Sequence, residues 1–409
     1  MKSMLALLSG AVMVLSMPNS HAVEILPLAD SGAALSGYRL SGDGAVVAGV
    51  HKDNYVKKLF RWSIAGGLET IPLPSNFNFN VGDINSTGSA IIGSQGYPFL
   101  WTPTNFVDHV SVYGKRGAVP HGINADGSVV VGDAETSGSG FYSYKYDNGS
   151  YTTYTTDAQS ISYFRFSDVS GDGRFVSGSA VIPPAYGDPQ VIRYDTATDT
   201  LIVCSSSDYQ WSSVEISADA SAVIGVIGNS IDAFRWEPVS GNVEMLGNID
   251  PTRATIPSDL NADGSIIVGR GLLAAGPTAV VWSEGVGIKT LNEYLHDRGV
   301  NTNGLVFADA VGVSDDGNVI LASAGYMTGY DYGDPFLITG LNDPIAPTVQ
   351  VAVDGSNFDF VFDSVTGQQY WIEGTPSIVS QVWNSVSTTN LGNGAAITSS
   401  FAIANFPET

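Results

Sequence analysis

Cysteine occurs once in the 409 residues, at Cys204, so no disulfide can form within the chain. A chain of this length buries a large core without one, and Cys204, in Leu201-Ile202-Val203-Cys204, reads as a small buried apolar residue. Histidine is almost as sparse: beyond the first segment there are His51, His109, His121 and His296, scattered along the chain. There is no His-Glu-x-x-His, no Gly-x-Ser-x-Gly and no Walker glycine loop, which removes the common zinc, serine-hydrolase and nucleotide signatures. Gly269-Arg270-Gly271 opens like a dinucleotide fingerprint, but no helical pattern follows and it reads as a strand end. Positive charge is scarce as well, with 17 Lys and Arg against 40 Asp and Glu and a net charge of −23. Such a surface repels phosphate backbones and anionic lipid, which argues against nucleic acid as a partner. Long apolar runs are missing after residue 22, so no membrane insertion of the mature chain is expected.

Before that point, Met1 to Ala22 carry one charge, Lys2, an apolar run from Met4 to Met17, and Ser20-His21-Ala22 as a small-x-small cleavage signal. Residues 1–22 are therefore expected to be a signal peptide and the mature chain to be exported, extracellular or periplasmic.

What the chain does have is a repeated phrase: a Ser/Asn-x-Asp-Gly block, an apolar run, and usually a glycine. It appears as Ser41-Gly42-Asp43-Gly44, Asn85-Ser86-Thr87-Gly88, Asn124-Ala125-Asp126-Gly127 and Ser170-Gly171-Asp172-Gly173. It recurs as Ser217-Ala218-Asp219-Ala220, Asn261-Ala262-Asp263-Gly264 and Ser314-Asp315-Asp316-Gly317. The spacings between successive phrase ends are 44, 39, 46, 47, 44 and 53 residues, the period of a four-stranded propeller blade. The block has the residues of a type I turn whose fourth position is left-handed, so it joins strand one to strand two. Ala220, at a position otherwise glycine, is expected to carry strain of about 1 kcal/mol.

A third strand follows in each repeat, with large apolar residues flanking a middle position that is often cationic, as in Phe60-Arg61-Trp62, Tyr144-Lys145-Tyr146, Ile192-Arg193-Tyr194 and Phe234-Arg235-Trp236. A fourth strand appears in stretches such as Glu69-Thr70-Ile71-Pro72-Leu73. The seventh repeat lacks one, and Val23-Glu24-Ile25-Leu26-Pro27-Leu28 matches it closely. The expected fold is thus all-β: a seven-bladed propeller over 23–342 whose ring is closed by the N-terminal strand. A linker over 343–348 and a small β-sandwich-like module over 349–409 follow. The module resembles accessory modules of secreted bacterial enzymes and adhesins at Thr366-Gly367-Gln368-Gln369-Tyr370 and Val382-Trp383.

The repeats resemble the HAF-repeat family of secreted bacterial extracellular repeat proteins, named for a His-Ala-Phe tripeptide in the third strand. The nearest copy here is Asp232-Ala233-Phe234-Arg235-Trp236, with Asp in place of the His, and the likeness covers all seven repeats. It implies a secreted bacterial repeat protein and brings no catalytic residues. Some relatives end in an outer-membrane barrel, for which this chain has no room.

Three repeats extend to Asp83-x-Asn85-x-Thr87-Gly88, Asp168-x-Ser170-x-Asp172-Gly173 and Asp259-x-Asn261-x-Asp263-Gly264, which imitate the start of a calcium loop. Position twelve of the clearest copy is Arg270, and Ile84, Val169 and Leu260 must point into a core. Structural turns are therefore expected, with no cofactor, and calcium as the alternative. The loops joining strands two and three vary from four residues to twelve, and variable loops on a rigid scaffold are where recognition usually resides. Two of them end in Tyr186-Gly187-Asp188-Pro189 and Tyr332-Gly333-Asp334-Pro335, the second preceded by Tyr326, Tyr330 and Asp331. Aromatic faces beside carboxylates suit sugars, so Tyr186, Asp188, Tyr326, Tyr330, Asp331, Tyr332 and Asp334 are the candidate binding residues. The bland alternative is that Gly-Asp-Pro starts strand three.

The leading functional expectation is a non-enzymatic binding or structural protein that engages a polysaccharide or a cell-surface protein through that face. A hydrolase or lyase acting on polysaccharide is the second, marked by a perturbed carboxyl pair in the channel. A calcium-stabilised adhesin is the third.

Overall fold

The computed structural model describes residues 3–8, 11–16, 23–29, 35–53, 56–71, 79–94, 98–108, 118–135, 141–154, 163–182, 189–204, 214–227, 232–325, 333–342, 349–354, 357–363, 369–375, 384–385, 390–391 and 396–402. One compact unit, Glu24–His296 with Asn301–Leu341, holds seven four-stranded antiparallel sheets. Their first strands are Leu35–Leu40, Asn80–Ile84, Val119–Ile123, Tyr163–Val169, Glu215–Ile216, Thr255–Leu260 and Phe307–Val313. Each of these contacts the first strand of the next sheet, and the seventh contacts the first, so they surround a common axis. This is the seven-bladed propeller that the repeat period predicts.

The ring closes as expected. Glu24–Pro27 pairs with the third strand of blade 7, Asp334–Thr339, from Glu24 opposite Thr339 to Pro27 opposite Phe336. Leu28 follows it into a core with Leu35, Tyr38, Phe60, Leu321 and Leu337, so the two chain ends of the ring share one apolar cluster.

The turn block owes its sequence to hydrogen bonds. In all seven blades the first residue is buried, and its side-chain oxygen accepts the N–H five residues on, as Ser41 does from Val46 at 2.9 Å and Asn124 from Val129 at 2.8 Å. In the six blades where it is Asp, the third residue accepts the N–H two residues on, as Asp43 does from Ala45. The fourth is left-handed, from φ +66° at Gly88 to +81° at Gly127, and Ala220 keeps that conformation at +62°. The second residue's carbonyl links the blades by accepting an N–H from the second or third residue of the blade before it: Asp43 N–H donates to Ser86 O, Ser86 to Ala125, Ala125 to Gly171, and Gly171 to Ala218. Asp219 then donates to Ala262, Ala262 to Asp315, and Asp315 back to Gly42. Seven main-chain hydrogen bonds thereby run once around the axis.

The cationic middle position of the third strand is a second inter-blade clip. Arg61, Lys145, Arg193 and Arg235 donate to the carbonyls of Gly88, Gly173, Ala220 and Gly264, each the fourth turn residue of the following blade.

One element departs from the all-strand expectation. Leu291–His296 is a short helix after the outer strand of blade 6, started by a reciprocal cap in which Thr290 and Glu293 bond each other's main-chain N–H.

The second unit comprises Met1–Val23, Asp297–Val300 and Asn342–Thr409. In it, Val349–Asp354, Asn357–Asp363 and Ala396–Ala402 form one antiparallel sheet. The segment expected to be a leader supplies two paired strands, Ser3–Leu8 and Ala11–Ser16, the latter pairing with Gln369–Thr375. The expected linker, 343–348, lies outside the described residues.

Candidate axial site

Within the inner strands the ladder slips by one residue at Gly82, His121, Ser167, Ser258 and Val311, and by one across Gly37-Tyr38. A bulge breaks period-two alternation and re-aims the next side chain. That next residue is Arg39, Asp83, Gly122, Asp168, Asp259 or Gly312 in blades 1, 2, 3, 4, 6 and 7, and Glu215 is its counterpart in blade 5. The apolar residue after it is buried: Leu40, Ile84, Ile123, Val169, Ile216, Leu260 and Val313.

The axial column surrounds a polar cavity of about 300 Å³ lined by Arg39, Asp83, Asp168, Glu215, Asp259 and the neighbouring main chain. Three of its carboxylates join alternate blade pairs. Asp83 accepts from its neighbour Ile84 (2.8 Å) and from Ile123 of blade 3 (3.2 Å). Asp168 accepts from Val169 (2.7 Å) and from Ile216 of blade 5 (3.0 Å). Asp259 accepts from Leu260 (2.8 Å) and from Val313 of blade 7 (2.8 Å). Arg39, the one cation of the column, donates from Nε to Gly82 O at 2.7 Å, clipping blade 1 to blade 2.

Four carboxyls facing one guanidinium in a confined space cannot all ionise freely. Burial raises Asp83 to about 8, with the charge of Asp168 adding to it and Arg39 opposing it. Burial raises Asp259 to about 7, opposed by its main-chain hydrogen bonds. Asp168 rises less, to about 6, because Ile216, Val169 and a hydrogen bond from Glu215 favour its anion. Glu215 is pushed well above the carboxylate range by burial and by Asp168, Asp259 and Asp83, so it is the proton donor of the Glu215–Asp168 pair.

The cavity reaches the second turn residues Gly42, Ser86, Ala125, Gly171, Ala218 and Asp315, so its mouth lies on the tight-turn face. There Ser86 Oγ donates to Asp315 Oδ2 at 2.9 Å, linking blades 2 and 7 past blade 1. A Cβ at Gly42 would lie 2.4 Å from that carboxylate oxygen and 2.7 Å from the serine oxygen, so the clasp needs glycine beneath it. Around the mouth stand the third turn residues Asp43, Asp126, Asp172, Asp219, Asp263 and Asp316, all exposed or half-buried. Asp126 and Asp263 are held below the usual range, chiefly by hydrogen bonds from the Ser128 and Ser265 hydroxyls.

His121, a bulge residue on the lining, places Nε2 2.9 Å from Oδ1 of buried Asp133, which also pairs with Arg165 of blade 4. The imidazole is thereby fixed in orientation at the cavity wall.

Of the binding residues expected from sequence, Tyr186, Asp188, Tyr326, Tyr330, Asp331 and Tyr332 lie outside the described residues. Asp334 is exposed and is the first residue of the third strand of blade 7, opposite Ala324, which is the bland reading of Gly-Asp-Pro. Of the imitation calcium loops, the structure separates the parts. Asp83, Asp168 and Asp259 turn into the axial cavity, while Asn85, Ser170 and Asn261 satisfy N–H groups of their own turns. Among the described residues no three His, Cys, Asp or Glu side chains are grouped to hold a metal ion. From sequence Arg39 stands at the equivalent position as a departure from the calcium pattern, with no site role, and Glu215 is not singled out, although both occupy the column that holds the three aspartates.

No helix among the described residues is long and apolar enough to cross a membrane. No protein-family model matches the sequence, and no curated protein matches it. Among solved structures, the chain is similar to an oligogalacturonate lyase in complex with manganese, with a TM-score of 0.50 and 12% identity over 83% of this chain and 97% of that one. It is also similar to an oligogalacturonate lyase from Vibrio parahaemolyticus (TM-score 0.49, 10% identity, 83% and 98% of the two chains). A third is TolB from Acinetobacter baumannii (TM-score 0.43, 16% identity), where the match covers 59% of this chain and 62% of that one, under two thirds of its length. At these identities the likeness is one of fold, a β-propeller.

Proposed function

We propose that the protein is an exported, non-enzymatic recognition module of the HAF-repeat type, and that the axial cavity takes a positively charged group of its ligand. The observation that carries this is the column of Asp83, Asp168, Glu215 and Asp259 against a single Arg39. An entering ammonium or guanidinium favours the ionised carboxyls, whose protons pass to solvent, so binding tightens as pH rises through their raised values. Each of the three aspartates already accepts two main-chain N–H groups, which fixes it as a preformed acceptor. Of the two partner classes left open by the sequence, a surface protein with basic side chains suits this cavity better than a neutral polysaccharide, which brings no charge to it.

Butylammonium and butylguanidinium, the ends of lysine and arginine, are direct probes. Titration calorimetry should detect saturable binding that tightens from pH 6 to pH 8 and weakens at least tenfold in Asp168→Asn or Glu215→Gln. Absence of binding at pH 8 in low salt would refute the reading.

A second reading rests on one specific feature, the protonated Glu215 donating to ionised Asp168, an acid and base side by side. That arrangement suits polysaccharide hydrolysis or elimination. New reducing ends in a polysaccharide panel, abolished by Glu215→Gln, would support it.

A further inference from the structure

We propose that the tight-turn face is the docking surface for a protein partner that lays an extended segment across the axial mouth, a cationic side chain at its centre and apolar side chains on both flanks. This rests on the cationic-ligand reading and names the partner that satisfies it.

The observation is the placement of exposed apolar side chains. Among the described residues, Val239 (83% exposed), Val286 (63%) and Ile64 (62%) are three of the four most exposed large hydrophobics. All three occupy the same structural position, the turn between the third and outer strands, in blades 5, 6 and 1. Equivalent turns in blades 2, 3 and 4 carry Pro103-Thr104, Asn148-Gly149 and Thr196-Ala197-Thr198-Asp199. In an antiparallel meander these turns lie on the same face as the strand-one-to-two turns, and so on the face where the cavity opens.

The spacing favours a segment that crosses the axis. Blades in a seven-fold ring are about 51° apart, so blade 1 stands roughly 154° from blade 5 and 103° from blade 6, on the opposite side of the mouth. With strands about 4.8 Å apart, each tip lies about 12 Å outward from its inner strand. Seven inner strands at that spacing stand roughly 5–6 Å from the axis, so an extended chain at about 3.3 Å per residue needs about eleven residues to run from Ile64 past the cavity to Val239, with Val286 beside its path.

Charge selects what sits at the centre. Asp315 and the ring of third-position aspartates surround the mouth, and the cavity below adds four carboxyls. The cations of this face are committed: Arg61, Lys145 and Arg193 to turn carbonyls, Arg235 to Gly264 O and Glu237, and Arg174 to Asp195. A basic side chain flanked by apolar ones is the complement of that surface.

The test uses the full chain and three probes: butylguanidinium, a peptide of about eleven residues with central arginine and leucine at both ends, and the same peptide with serine for leucine. The leucine peptide is expected to bind at least tenfold more tightly than the serine peptide. The combined variant Ile64→Ser, Val239→Ser, Val286→Ser, at exposed tips that leave the core untouched, is expected to abolish that advantage while leaving butylguanidinium binding unchanged. Equal binding of both peptides, or an advantage that persists in the variant, would overturn the docking surface and leave the cavity reading standing. Failure of all three probes on the folded protein would overturn both.

Discussion

Gly88→Ala should destabilise the propeller by about 2–4 kcal/mol, whereas Ala220→Gly, the reverse exchange at the equivalent turn, should change stability by about 1 kcal/mol or less. Gly88 has φ +66°, and a Cβ there would lie 2.4 Å from the Cβ of Val46 and 2.6 and 2.8 Å from its two methyls. The left-handed backbone costs about 1–2 kcal/mol for alanine, and the forced overlap adds about 1–3 kcal/mol. Restriction of the unfolded chain returns about 0.4–1 kcal/mol. The turn glycine is thus needed twice, for its backbone and for the apolar residue of the preceding blade that packs on it.

At Ala220 both terms are weaker. The residue facing it in blade 4 is Phe175, whose ring lies 4.8 Å from the Arg174 guanidinium carbon and 4.4 Å from that of Arg193, and the alanine methyl packs in the resulting space with 3% exposure. Removing it relieves the backbone strain but forfeits about 0.8 kcal/mol of methyl burial and about 0.4–1 kcal/mol of unfolded-state restriction. Thermal unfolding at matched scan rate is the assay. For a domain of this size about 1 kcal/mol corresponds to about 2 °C, so Gly88→Ala should melt about 4–8 °C lower and Ala220→Gly within about 2 °C of the parent. Combining Gly88→Ala with Val46→Ala should recover the part of the overlap due to the two methyls, while the Cβ contact remains. Strict additivity of the two, or a Gly88→Ala protein that melts like the parent, would refute the packing argument.

Three further outcomes follow from the same geometry. Asp83, Asp168 and Asp259, raised to about 8, 6 and 7, hold protons in the folded state that the unfolded chain releases near pH 4; their stabilisation is full below that pH and is lost as pH rises to about 8, so melting temperature should fall between pH 5 and 8, less steeply in Asp83→Asn. Gly42→Ala should cost about 2 kcal/mol by pushing apart Ser86 and Asp315, and in a Ser86→Ala background most of that penalty should vanish, as read by denaturant midpoints. Deleting residues 24–28 opens the edge of Asp334–Thr339, and size-exclusion chromatography should show association or aggregation in place of the parent's elution position.

The fold was legible because each blade repeats a turn whose side chains have a fixed hydrogen-bonding task. Ser41, Asn85 and their counterparts recur because each must accept one buried N–H, and the seven copies set the period from which blade number and ring closure follow. The site was half legible. Asp83, Asp168 and Asp259 stood out when the chain was read along each repeat, where they look like openers of a metal loop. A bulge before each and a buried apolar residue after it aim them away from the turn, and no linear motif records that. Reading down the repeats instead gives Arg39, Asp83, Gly122, Asp168, Glu215, Asp259 and Gly312, one side chain per blade at one depth of the axis. Glu215 escaped notice because its repeat lacks the Asp that flagged the others, whereas Arg39, Gly122 and Gly312 are visible in the same column but count there only against a calcium loop. The helix at Leu291–His296 was signalled by Thr290-x-x-Glu293, hidden by the strand period on either side.

The excess of negative charge in the cavity follows from the way the blades are joined in pairs. Each axial aspartate binds its own blade's N–H and that of the next, so one aspartate serves two blades: Asp83 joins 2 to 3, Asp168 joins 4 to 5, and Asp259 joins 6 to 7. The receiving blades 3 and 7 have glycine in the column, and a Cβ at Gly122 would lie 2.6 Å from the Asp168 carboxylate of the following blade, so an alternating large and small pattern packs the axis. Seven blades leave one over. Blade 1 has no aspartate partner, and Arg39 joins it to blade 2 through a carbonyl instead. The device that holds the ring together therefore places three carboxylates and one guanidinium at the axis, and Glu215, in the one receiving blade without glycine, adds a fourth acid. On the proposed reading a cation from outside completes the balance that one Arg39 against four acids leaves short, so the residues that join the blades are also those of the proposed site.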